Sequence, residues 1–346
     1  MQVDYIIVGL GLAGLAFTKE LEKHKKSFLV FEDNSQNSSI VAGGVYNPVV
    51  LKRFTHVWNA IEQLQIALPF YADLEIQFNK KYDYPLDIYR VFKSVEEQNN
   101  WFAACDNPTL SNFMDTKLIK EKHEGVLSNF GYGKLLNTGR IDTKSLIEDY
   151  RNYLSQRKLI RNESFQYEAL EIYENRVENK DVVASKIVFC EGFGLKNNPF
   201  FNELPMQEAK GELITIHAPN LNVDFLIKAA LFVFPLGDNL YKVGATFNWK
   251  DKTQHPTEEG KNELTTKLET FITVPYTIVE HVAGIRPTVK DRRPMAGKHP
   301  KHPNLAVLNG LGTRGVMIAP TLAKALYDHL ENGVVLDKEI SITRFL

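Results

Sequence analysis

The chain has 346 residues, with 41 Lys and Arg against 42 Asp and Glu and a formal net charge of −1. That length points to two structural domains; the near-neutral charge gives no global pull toward nucleic acid or an anionic membrane, and no apolar run reaches the ~20 residues a membrane helix needs. Only Cys105 and Cys190 occur, which excludes a disulfide framework, and the first apolar run begins at Val3, so no signal peptide is expected and the chain reads as cytoplasmic.

The run 3–8 is apolar and short, the pattern of a buried parallel strand. Gly9, Gly11 and Gly14 follow at the G-x-G-x-x-G spacing, and a helical pattern continues through Leu15, Ala16, Phe17 and Leu21. A second apolar run, 28–31, ends at Glu32. This is the strand, turn, helix, strand and acid order of a dinucleotide-binding fold, with the acid close to the usual ~20-residue offset. Gly9 permits the tight turn, Gly11 lets backbone approach a pyrophosphate, and Gly14 lets helix and strand pack closely. The helix N-terminus offers free N–H groups to phosphate, and Glu32 can accept from ribose hydroxyls. An acid at that position disfavours a 2′-phosphate.

Residues 40–48 read as an irregular loop with Gly43, Gly44 and Asn47-Pro48, and 58–74 as a helix carrying Ile61, Leu64 and Leu68. The aromatic-rich stretch 75–136 fits an antiparallel sheet with edge helices. A turn at 138–142 precedes a helix with Leu146, Ile147, Tyr150 and Leu154, capped by Asp142 or Thr143. Strands are predicted at 165–172 and 182–189, and a meander over 213–217, 230–234 and 240–247. A strand at 305–308, a glycine-rich loop at 309–315 and a helix over 316–330 close the chain. The fold class is therefore α/β, with a Rossmann-like part (1–74, 137–203 and 278–346) interleaved with an α+β part on a mainly antiparallel sheet (75–136 and 204–277).

The C-terminal loop, Asn309-Gly310-Leu311-Gly312-Thr313-Arg314-Gly315, allows close backbone approach to a ligand; an ordinary strand–helix loop is the alternative. Upstream, Arg286 is followed by Pro287, and a guanidinium can grip a carboxylate through two parallel hydrogen bonds. A structural or surface arginine is the alternative. Two weaker patterns are His299 and His302, whose flanking prolines forbid a helix and which lack a completing ligand, and Lys52-Arg53, a solvated pair or a phosphate contact. No metal site is expected.

Taken together, VDYIIVGLGLAGLAF with Glu32, SSIVAGGVYNP, TGRIDTKSLIEDY, SKIVFCEG, MQEAKGELITI, FVFPLGDNLYKVGATF, GIRPTVKDRRPMAG and LNGLGTRGVMIAP resemble, in order and over nearly the whole chain, the D-amino-acid oxidase family of FAD-dependent oxidoreductases, in its branch of glycine oxidases and tRNA-modifying oxidases. The resemblance implies non-covalent FAD. It implies that Gly9, Gly11, Gly14 and Glu32 hold the adenosine diphosphate, that Ser38, Ser39, Ala42, Gly43 and Gly44 line the flavin, and that Leu170 and Gly192 close over the adenine side. Gly310, Gly312, Thr313, Gly315 and Val316 would surround the pyrimidine edge. Arg286 matches the arginine that pairs with a substrate carboxylate, and Arg314 a second basic position. Phe232 stands where several members carry a tyrosine, so it brings no hydroxyl.

The implied reaction is oxidation of a C–N bond in a small amino acid or secondary amine, by hydride transfer to flavin N5, with hydrolysis of the imine product. Phe232, Phe234, Phe247 and Trp249 are candidate pocket walls. Two alternatives remain: a flavoenzyme acting on a carboxymethylamino-modified tRNA nucleoside, and an NAD-binding dehydrogenase or non-catalytic dinucleotide module. No sequence feature sets an oligomeric state.

Overall fold

The computed structural model describes residues 1–346. Tyr5, Ile6 and Ile7 are buried on both faces of the first strand, Gln2–Val8, so this strand needs a layer on each side. It sits inside an 8-stranded sheet, between the parallel strands Phe28–Phe31 and Val182–Phe189. Ile160–Arg161 extends the parallel set on one side and Leu305–Asn309 on the other. Val177–Asn179, Leu170–Ile172 and Met295–Lys298 are the antiparallel additions.

The helices Leu12–Lys23, Thr143–Gln156 and Gly315–Asn332 cover one face, joined by Ala60–Phe78. Their core holds Phe17, Leu21, Tyr71, Tyr150 and Met317, all nearly inaccessible. Asp142 caps the Thr143–Gln156 helix by accepting from Ser145 N at 3.2 Å. Phe165, Phe189, Leu195, Phe201 and Ile342 cover the opposite face.

A second, 7-stranded sheet runs in the order Thr277–Val289, Met206–His217, Leu240–Gly244, Phe232–Gly237, Leu226–Lys228, Ile88–Val91, Tyr132–Leu135. Adjacent pairs are antiparallel except Leu226–Lys228 with Ile88–Val91. One face packs on the helix Glu258–Leu268 through Ile214, Val233, Val243 and Leu264. The other face looks toward the glycine loops of the first sheet. No helix is long and apolar enough to cross a membrane.

Several expectations need correcting. The strand Thr277–Val289 pairs with Met206–His217 from Met206–Val289 to His217–Thr277, so 278–289 belongs to the second sheet and not to the nucleotide-binding part. The turn expected at 138–142 is instead the strand Gly139–Ile141, held between Val45–Tyr46 and Asp83–Pro85. The strand expected at 165–172 survives only as Leu170–Ile172. Its first half leaves the sheet because Phe165 packs edge-on against Phe31 and Phe189, at 5.4 and 5.9 Å between centroids.

Helix and first strand meet at Gly14, where an added Cβ would lie 2.1 Å from the Gly9 carbonyl oxygen. Backbone cannot yield as a flexible side chain can. Gly14→Ala should therefore cost about 3 kcal/mol and lower the melting temperature by several degrees. An unchanged thermal unfolding curve would contradict this packing.

Candidate active site

A cavity of about 800 Å³ lies between the two sheets, large among ligand pockets. Its first wall is the turn after the Gln2–Val8 strand. Gly9 has φ +95, and a Cβ there would lie 2.7 Å from the Cys190 carbonyl oxygen. The turn is closed from below by Glu32, buried, whose carboxylate accepts from Leu10 N at 2.5 Å and Asn34 N at 2.8 Å. Each carboxylate oxygen retains a lone pair for a ligand hydroxyl. The Leu12–Lys23 helix has no side-chain cap of its own, and Ser39 Oγ accepts from Leu12 N at 3.1 Å.

Ser38, Ser39, Ala42, Gly43 and Gly44 form the next wall. Gly44 has φ +65, and its absent Cβ would fall 1.9 Å from the Ile141 carbonyl oxygen. Gly192, φ +54, also lines the cavity, and beyond its own chain neighbours no protein atom lies within 4 Å of where its Cβ would sit. Its carbonyl accepts from Asn309 Nδ2 at 2.9 Å, while Asn309 Oδ1 accepts from Gly310 N at 2.7 Å. This links the two glycine loops. Gly312, Thr313, Arg314, Gly315 and Val316 complete that side.

Arg286 projects from the second sheet into the same cavity. Gly211 makes room for it: a Cβ there would meet Arg286 Nη2 at 2.0 Å. The guanidinium lies 4.1 Å from the Phe247 ring centroid, and Nη2 donates to the Thr246 carbonyl at 3.2 Å. Nη1 is buried with no partner. Burial pulls its pKa down to about 10, so it remains a cation at neutral pH. Arg314 is likewise pushed down by burial and by the nearby Arg292 and Arg293 charges.

The structure brings together Gly9, Gly11, Glu32, Ser38, Ser39, Ala42, Gly43, Gly44, Gly192, Gly312, Thr313, Gly315, Val316, Arg286, Arg314 and Phe232. Gly14 lies behind the turn. Gly310 does too: it has φ +75, and a Cβ would strike Val289 Cγ2 at 2.5 Å, so it makes a turn and not a wall. Leu170 is paired with Asn179 outside the cavity; Glu163, Ser164, Phe165 and Tyr167 line that end instead. Phe234 and Phe247 are walls, whereas Trp249 is 52% exposed and lines nothing. His299 and His302 stack on each other at 5.0 Å.

Sequence reasoning missed Glu191. It is buried beside Gly192 and accepts from Asn198 Nδ2 at 2.7 Å and from the Tyr167 hydroxyl. Burial outweighs those bonds and pushes its carboxyl up to about 7. Its only trace in sequence is an acid directly before a positive-φ glycine.

The chain belongs to the DAO family of FAD dependent oxidoreductases, whose model matches residues 4–329. It is similar to the glycine oxidase of Bacillus subtilis (strain 168), at 22% identity over 98% of this chain and 94% of that one. The tRNA 5-methylaminomethyl-2-thiouridine biosynthesis bifunctional protein MnmC of Aromatoleum aromaticum is 28% identical over 41% of this chain and 26% of its own length. The chain thus spans about a quarter of the first curated relatives it matches, between 26% and 27%. Among solved structures, glycine oxidase from Geobacillus kaustophilus superposes with a TM-score of 0.81, at 18% identity, covering 100% of this chain and 99% of that one. The chain is an enzyme of this family with FAD as cofactor, and the NAD alternative gives way. The cavity fits that group: the open space at Gly192, the free lone pairs of Glu32 and a helix start whose cap residue, Gly11, brings no side chain are features its nucleotide half requires.

Glu191 couples this site to pH. With an unfolded value near 4.5 and a folded value near 7, the native state holds the extra proton between them, so stability falls as pH rises through that window, by about 3 kcal/mol in all. Glu191→Gln should flatten the fall in melting temperature between pH 5 and about 7.5. An identical pH profile in the variant would clear Glu191 of the effect.

Proposed function

We propose that the chain oxidises the C–N bond of a small amino acid or secondary amine, with Arg286 gripping the substrate carboxylate. One observation carries the reading: a partly buried arginine whose Nη1 is buried, orphaned and without an acid partner, in the cavity that the glycine loops line. An unpaired buried cation costs several kcal/mol, and an anionic ligand offsets that cost. A carboxylate suits it best, because two parallel N–H···O bonds fix its orientation as well as its charge.

Bound FAD supplies the two-electron acceptor for the hydride that leaves the carbon beside the amine. The chain supplies placement. Gly9, Gly11 and Glu32 would hold the adenosine diphosphate; Ser38, Ser39 and 42–44 the flavin; Gly312, Thr313, Gly315 and Val316 its pyrimidine edge. The 8-stranded sheet is then the cofactor part and the 7-stranded sheet the substrate part. Phe232, Phe234 and Leu213 keep the substrate end apolar, which favours the neutral amine that the reaction needs. The imine product hydrolyses in water. FAD is held without a covalent bond: no histidine lines the cavity, and burial pushes the Cys190 thiol well up from its ordinary value. Reduced, buried Cys105 and Cys190 suit a cytoplasmic enzyme.

A second reading is a carboxymethylamino group on a tRNA nucleoside, which offers Arg286 the same carboxylate beside an amine. It draws support from the MnmC likeness and from Lys52, which is exposed at the cavity wall. Glycine, sarcosine, proline and D-amino acids tested by anaerobic flavin bleaching separate the two. Arg286→Leu should retain FAD, with kcat/KM for the best amine lowered about 100- to 1,000-fold, chiefly through KM. Unchanged turnover in that variant would refute the clamp.

A further inference from the structure

The carboxylate clamp leaves part of the cavity's charge unused. The acids that line the cavity are Glu32, Asp33, Glu163 and Glu191, all contributed by the loops of the 8-stranded sheet. The lining drawn from the 7-stranded sheet holds Lys228 and Arg286 and no acid. Lys228 ends the strand Leu226–Lys228. Cross-strand register runs from Lys228 to Phe232, Gly244, Leu213 and Val282 in turn. Arg286 lies an even number of residues beyond Val282, so both cations project from the same sheet face. Four interstrand spacings, roughly 19 Å, separate Lys228 from Val282, and Arg286 lies roughly 13 Å further along its strand, so the two backbones are roughly 23 Å apart and two long side chains reaching inward leave a gap of small-molecule length. Leu213 and the side-chain-free Gly211 and Gly244 form the floor between them.

Lys228 is built to stay where it is. Arg90 Nη1 donates to the Lys228 carbonyl at 3.3 Å and to the Ala229 carbonyl at 3.0 Å, while Arg90 is neutralised by Glu97. The Lys228 ammonium lies 4.4 Å from the Phe232 ring centroid. Burial, with the like charges of Arg90, Lys93 and Lys267, pulls its pKa down to about 8, and no carboxylate offsets them. Such an ammonium gains more from an incoming anion than one in water does.

We propose that Lys228 is a specificity residue that binds a second carboxylate, so that the preferred substrate is an amine with one carboxylate on Arg286 and another several bonds away. This rests on the Arg286 reading above. The test compares sarcosine with N-(carboxyalkyl)glycines of increasing chain length in the wild type, Lys228→Met and Lys228→Arg holoenzymes. The preference ratio for the best dicarboxylate over sarcosine should fall about 10- to 100-fold in Lys228→Met, through KM, and recover in Lys228→Arg. Binding is read separately by titrating the flavin absorbance with non-oxidisable dicarboxylic and monocarboxylic acids; the dicarboxylic advantage should vanish in Lys228→Met. Equal losses on both substrate classes would put Lys228 on the same carboxylate as Arg286, or in a structural role, and overturn the proposal, as would an unchanged ratio. If no amine bleaches the flavin, the oxidation reading fails while the acid titration still decides for or against Lys228.

Discussion

The site depends on how the open edge of the 7-stranded sheet is satisfied. Thr277–Val289 is an edge strand, and its outward carbonyls need donors where they are covered. The Ala283 carbonyl accepts from Asn37 Nδ2 at 3.2 Å, the Ile285 carbonyl from the Ser38 hydroxyl, and the Pro287 carbonyl from Gly312 N at 3.1 Å. Asn37 and Ser38 open the short helix Ser38–Val41 in one cavity wall, and Gly312 lies in the loop of the other. The strand carrying Arg286 is thus fastened directly to both walls. Two side-chain donors and one backbone N–H, all on carbonyls of this strand, hold Arg286 at a set place relative to both.

That fastening explains how the chain tolerates a buried cation without an acid. Gly211 opens the space, the Phe247 ring and the Thr246 carbonyl give partial compensation, and the rest of the cost remains. A well-packed apolar residue there would be more stable. Retaining the guanidinium concentrates unsatisfied potential where the proposed carboxylate would bind, an exchange of stability for function. Pro287 follows immediately and stiffens the same edge.

The cofactor half was legible because its signals are local. Gly9, Gly11, Gly14 and Glu32 fall within one short stretch, and each has a backbone reason that spacing reveals. The substrate half was less so. Arg286 could be singled out as a carboxylate binder, but its membership of the second sheet follows from pairing with Ala209, a long-range register that alternation does not encode. Leu170 pairs with Asn179 in the sheet, whereas Phe165, packed edge-on against Phe189, carries the segment before it out to the cavity, a detour that alternation does not encode. Gly310, expected at the pyrimidine edge, has its positive φ in a turn closed over Val289, a contact that loop composition does not reveal. Lys228 and Glu191 escaped notice because their interest lies in partners that are missing or buried, which only three dimensions show.

The most direct measurement is a crystal structure of the holoprotein with a non-oxidisable carboxylic acid in the cavity. The expected result has the ligand carboxylate on Arg286 Nη1 and Nη2, between the Phe247 ring and an isoalloxazine that rests against 42–44 and 312–316. A carboxylate bound elsewhere, with Nη1 still unpartnered, or an isoalloxazine seated away from those segments, would contradict the account.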